Sequence, residues 1–102
     1  MTYRVELTAR AERDLRHIYR TINAADSRQA HDWFNGLEAA VSSLDENPAR
    51  SPRTPEDEGL RHLLHGSGRY VYRILYTIDE DRRVVTVLHI RHGARRPLSG
   101  PG

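Results

Sequence analysis

The chain has no cysteine. That excludes a disulfide framework, a thiolate nucleophile, a cysteine zinc site and an iron–sulfur cluster. Lysine is missing too, so all 16 basic side chains are arginine. No apolar run approaches the ~20 residues of a membrane span. The opening M-T-Y-R-V-E-L-T-A-R holds no signal-peptide core, so a cytoplasmic protein with no membrane partner is expected. Enzyme signatures are missing as well: no Gly-rich phosphate loop, no nucleophile elbow and no H-E-x-x-H helix. His62 and His65 stand three apart on an expected strand, as do His89 and His92. Such pairs point to opposite faces and chelate poorly, so neither a metal nor a cofactor is expected.

What is present is one globular domain's worth of chain. The 102 residues are 37% hydrophobic and 29% charged. A chain this size hides roughly 60–68% of its unfolded surface, enough for one core. Residues 1–98 are expected to form that single domain, with Ser99–Gly102 a disordered end. The net charge is only +2, but its distribution is uneven. Residues 59–78 hold Arg61, Arg69, Arg73, His62 and His65 without an acid. Residues 82–102 hold Arg82, Arg83, Arg91, Arg95, Arg96, His89 and His92, again without one. The acids of this half sit in two short runs, Glu56-Asp57-Glu58 and Asp79-Glu80-Asp81. Such a field draws polyanions or an acidic protein surface.

Periodicity orders the elements. Tyr3, Val5 and Leu7 alternate with Arg4 and Glu6, a short strand. Thr8 is a plausible helix cap. Ala11, Leu15, Ile18, Tyr19 and Ile22 then mark one helix face, ending near Asn23-Ala24-Ala25. Asp26-Ser27-Arg28-Gln29 reads as a capping box opening a second helix, whose stripe is Ala30, Trp33, Phe34, Leu37, Val41 and Leu44. Gly36 inside it costs ~1 kcal/mol relative to Ala, and close approach of the first helix is the expected reason. A short link predicts an antiparallel helical hairpin. Pro48–Glu58 reads as loop, Leu60–His65 as a short strand, and Gly66-Ser67-Gly68 as a turn. Arg69–Ile78 alternates as a long strand. Tyr70, Tyr72, Ile74, Tyr76 and Ile78 form its core face, with Arg69, Val71, Arg73, Leu75 and Thr77 opposite. Val84–Ile90 is apolar on both faces, as a central strand should be. The fold class is therefore α+β: a strand, a helical hairpin and a three-stranded antiparallel meander, giving one mainly antiparallel sheet with the helices on one face.

The candidate site is the basic face away from the helices: Arg69, Arg73, Arg91, His92, Arg95 and Arg96. Planar guanidiniums clamp phosphates or carboxylates, and a histidine among them can move protons near neutral pH. The register of the last hairpin stays open. A three-residue loop pairs Arg73 with Val87, and a four-residue loop pairs it with Leu88. Whether His89 or His92 shares a face with Arg73 follows from that choice.

Three segments taken in order carry a family resemblance. Val5–Tyr19 (V-E-L-T-A-R-A-E-R-D-L-R-H-I-Y), Tyr70–Asp81 (Y-V-Y-R-I-L-Y-T-I-D-E-D) and Val87–Pro97 (V-L-H-I-R-H-G-A-R-R-P) resemble the first strand and helix, the central hairpin and the last strand with its basic tail of the RelE/ParE superfamily. That superfamily comprises toxins of bacterial type II toxin–antitoxin, or plasmid stabilisation, systems. The resemblance spans roughly residues 3–97. It implies a growth-inhibiting toxin neutralised by a cognate antitoxin in a hetero-oligomer. The His92–Arg95 run looks closer to the ParE-like branch, which implies a non-enzymatic toxin that binds a target such as DNA gyrase. The alternative is a RelE-like, ribosome-dependent mRNA endonuclease, in which Arg73, His92 and Arg95 would be the catalytic set. The chain departs from that branch in having no tyrosine and no lysine in its tail.

Overall fold

The computed structural model describes residues 2–55, 57–67 and 70–93. Strand β1 (Arg4–Leu7) leads into helix α1 (Ala9–Thr21), then helix α2 (Arg28–Ser42), strand β2 (Arg61–His65), strand β3 (Tyr72–Asp79) and strand β4 (Val84–His92). One four-stranded sheet results, in the order β1-β4-β3-β2. β1 runs parallel to β4, and the other two pairings are antiparallel.

Local chemistry sets the helix ends. The Thr8 hydroxyl accepts the Ala11 N–H at 3.0 Å and opens α1. α1 closes at Ile22, and Asn23 turns the chain at φ 61°. The cap of α2 is Ser27, whose hydroxyl accepts the Ala30 N–H at 3.2 Å. The cap is thus one residue later than Asp26, and Gln29 falls out of capping-box register. Tyr19, late in α1, meets Phe34 edge-on at 5.1 Å. Glu12, early in α1, shares a groove with Glu38 further along α2, the order of an antiparallel pair. The notch at Gly36 is filled from the sheet and not by α1: a Cβ there would lie 3.2 Å from the His65 ring of β2.

The core sits between the helices and one sheet face. Ile18, Phe34, Leu37, Val41 and Leu44 meet Tyr72, Ile74, Tyr76, Val85, Val87 and Ile90. Burying each large apolar side chain contributes about 1.5–3 kcal/mol. The Tyr76 ring is fully enclosed, and its hydroxyl donates to the Pro48 carbonyl at 2.6 Å. The segment from Pro48 to Thr54, expected as loop, is therefore more than that. Pro48–Arg50 is a 3-10 turn entered through Asn47 at φ 51°, and Pro48, Ser51 and Thr54 are buried. The Arg61 guanidinium donates to the Ser51 carbonyl at 2.6 Å and the Ala49 carbonyl at 3.2 Å, tying the segment to β2.

β3 begins at Tyr72, later than the alternation predicts. Tyr70 is 59% exposed and outside the core, because its N–H still closes a turn onto the Ser67 carbonyl at 3.0 Å. Gly66 supports that turn at φ 102°, where a Cβ would lie 1.9 Å from the Tyr70 carbonyl oxygen.

The last hairpin corrects both expected registers. The chain turns through residues 80–83, with Arg83 at φ 56°, and Asp79 pairs with Val84. Tyr76 pairs with Val87 but Leu75 with His89, so Leu88 is one extra residue in β4, a β-bulge. Arg73 therefore pairs with Arg91. The three-residue turn would have left Val85 and Val87 on the open face, and the four-residue turn without a bulge would have left Ile90 there. The later turn and the bulge together put Val85, Val87 and Ile90 on the helix face.

Candidate functional site

Cross-strand partners share a face, so the register defines the open side of the sheet. Around Arg73 it carries Leu64 from β2, Leu75 from β3 and Arg91 from β4, with His62 and His89 flanking Leu75. The Arg73 Nε–H donates to His62 Nδ1 at 3.1 Å. In this arrangement Nδ1 is the unprotonated ring nitrogen. Arg73 is only 5% exposed. Its stem passes over Gly93, where a Cβ would lie 2.6 Å from Arg73 Cγ and 2.9 Å from Cδ. Arg91, by contrast, is exposed.

His89 lies in the positive field of this cluster. Its pKa is lowered, first by burial and next by Arg10 of α1, with smaller pushes from Arg91 and Arg73 and an opposing pull from Asp14. Its Nδ1 is buried and has no hydrogen-bond partner among the described residues. Desolvation and nearby cations both disfavour the imidazolium.

The expected site residues separate. Arg73 and Arg91 come together on the open face. His92 does not join them: it pairs with Tyr72 on the helix face, where the two rings meet edge-on at 5.1 Å. Arg69, Arg95 and Arg96 lie outside the described residues. His62 is a member that sequence reasoning left out, and of the two histidines left open by the register it is His89, not His92, that shares the Arg73 face. Their spacing gave no signal, because the face of His89 depends on the bulge at Leu88.

His92 lines a second feature instead. A cavity of about 730 Å³ opens at the end of the helical hairpin, walled by Ile22, Ala30, Trp33, Tyr70, Tyr72 and His92. Burial raises the Tyr72 pKa. His65 packs on Trp33 at 4.9 Å, with its Nε2 buried and without a hydrogen-bond partner among the described residues. Among the described residues, no group of three or more His, Asp or Glu is placed to hold a metal ion. No described helix is long and apolar enough to cross a membrane.

Residues 5–97 match the family model described as the ParE toxin of the type II toxin–antitoxin system parDE. The chain belongs to the ParE toxin family. Solved structures agree on the fold. The chromosomal ParDE toxin–antitoxin system of Pseudomonas aeruginosa aligns with a TM-score of 0.71 at 18% identity, covering 89% of this chain and 96% of that one. The RelBE2 toxin–antitoxin complex of Mycobacterium tuberculosis aligns at 0.60 and 30% identity, covering 92% and 94%. The intact RelBE complex of E. coli aligns at 0.64 and 17% identity, covering 91% and 99%. No curated protein matches the chain. For a ParE-family toxin, the open face around Arg73 and the cavity at Trp33 are two separate surfaces, one cationic and one aromatic.

Proposed function

We propose that this ParE-family toxin arrests growth by binding a cellular macromolecule, with DNA gyrase the first target to test, and that a cognate antitoxin neutralises it. The observation that carries this reading is the division of Arg73 and His92 between opposite faces of the sheet. A ribonuclease built on Arg73, His92 and Arg95 needs them around one phosphate, with reacting atoms held about 3–3.5 Å apart. Burial of Arg73 beside His62 also favours a fixed recognition contact over a group that follows a reacting phosphate.

One observation favours the endonuclease instead. His89 shares the Arg73 face, and its lowered pKa keeps the ring neutral, ready to accept a proton. Pulse-labelling after induction, without antitoxin, separates the two readings. Early loss of DNA-precursor incorporation, with purified toxin blocking gyrase supercoiling, supports the binding toxin. Early loss of amino-acid incorporation, with mRNA cut on ribosomes, supports the endonuclease and moves its base to His89.

A further inference from the structure

Helix α1 has a second face that the toxin reading does not use. Arg10, Arg13, His17 and Arg20 follow each other at spacings of three, four and three. At 3.6 residues per turn they fall within an arc of about 80°, and Arg16 lies about 40° beyond it. All five are exposed. The apolar stripe of Ala11, Leu15, Ile18 and Ile22 is on the opposite side, packed toward the core. Among the described residues, the one guanidinium–carboxylate pair within 4 Å is Arg4–Glu6, so no helix arginine is ion-paired with a described carboxylate at that distance. Asp14, on the flank, is committed to the Ile90 N–H at 2.9 Å. Glu12 and Glu38 border the groove on the other flank, beside Arg16 and Arg20. Arg10 lies close enough to His89 to act on its charge, so the stripe continues onto the basic sheet face.

We propose that the exposed arginine face of α1 binds the phosphate backbone of duplex DNA without reading its sequence. The proposal does not depend on what the toxin inhibits. Arginine forks match phosphate oxygens. Arg10 and Arg20 stand ten residues, about 15 Å, apart along the helix axis. That span suits the two backbones bordering a B-form major groove, about 12 Å wide. The composition of the stripe argues against other occupants. It has no Phe, Tyr or Trp on which a single strand could stack, and its one imidazole, His17, is held to Thr21 at 3.3 Å. It has no apolar anchor for a protein interface or a bilayer surface. It also has no Asn or Gln to read adenine edges. The narrow, deep major groove of an A-form RNA duplex does not admit a helix.

The test is fluorescence anisotropy of the full chain with a labelled random-sequence DNA duplex of about 20 base pairs across a salt series. Four arginine–phosphate contacts give a log–log salt slope of about −3.6, or roughly a hundredfold loss of affinity between about 50 and 200 mM salt. Arg13→Ala with Arg20→Ala should lower the slope by about 1.8. Arg28→Ala with Arg53→Ala removes the same charge elsewhere and should leave the slope unchanged. If the first pair disturbs the fold by circular dichroism, Arg13→Gln with Arg20→Gln replaces it, with the same slope expected. Three results would overturn the proposal: a slope near zero, equal losses from the two arginine pairs, or equal affinity for an RNA duplex of the same length.

Discussion

The Asp14 carboxylate of α1 accepts the Ile90 N–H of β4 at 2.9 Å. β1 covers β4 only as far as Val87. Beyond it the helix takes over the strand edge, with the Thr8 hydroxyl donating to the Leu88 carbonyl at 2.7 Å and Asp14 accepting from Ile90. A side chain on α1 thus does the work of a fifth strand at the point where the sheet is bulged.

Asp14→Ala leaves the Ile90 N–H without its partner, which costs about 1–3 kcal/mol. For a domain of this size each kcal/mol lowers the thermal midpoint by about 4–8 °C. Asp14→Asn keeps an acceptor oxygen and should lose less. Urea unfolding of both variants checks this. A loss from Asp14→Ala no larger than that of an exposed Glu12→Ala control would show the bond to be dispensable.

Gly36→Ala sets two effects against each other. Helix propensity favours Ala by about 1 kcal/mol. The new methyl meets the His65 ring at 3.2 Å, and Trp33 backs that ring. The substitution should therefore stabilise a His65→Ala background by about 1 kcal/mol and the native background by clearly less. A double-mutant cycle measures the difference. Equal gains in both backgrounds would mean that the glycine is not there for the histidine.

Much of this fold was legible in the sequence because alternation and helical spacing are local. The Thr8 cap, the stripes of both helices and the Tyr72–Ile74–Tyr76 core face follow from neighbours a few residues apart. The site was less legible, because its membership depends on a non-local count. One extra residue at Leu88 moves His89 onto the Arg73 face and His92 off it. Arg73 lies on the expected basic face, but nothing local foretold that it is buried there. Its burial comes from His62 and Gly93, residues 11 and 20 positions away that no periodicity connects to it.

The lowered pKa of His89 ties stability to pH. Its folded value lies below the usual 6.5, so the unfolded chain takes up that proton first. The stability it contributes is therefore present above about pH 6.5 and is lost as pH falls through the folded value. Thermal unfolding of the native chain should show a midpoint declining below about pH 6.5, and His89→Gln should flatten that decline. An NMR titration placing the His89 pKa at or above 6.5 would contradict the burial argument.

Gly93 offers a way to move Arg73 without removing it. The Gly93 backbone lies outside the left-handed region, so any residue can adopt it. The obstacle is a Cβ placed 2.6 Å from Arg73 Cγ and 2.9 Å from Cδ. Gly93→Ala must therefore push the arginine stem off its path, away from His62. If the placement of Arg73 matters to the target, Gly93→Ala should weaken target binding at least about tenfold, or ~1.4 kcal/mol. Arg73→Ala should do the same, and the double variant should be little worse than either, because both act on one contact. Binding titrations against the target found by pulse-labelling, with circular dichroism to verify the fold, make the comparison. Strictly additive losses would show that Gly93 acts on the toxin independently of Arg73.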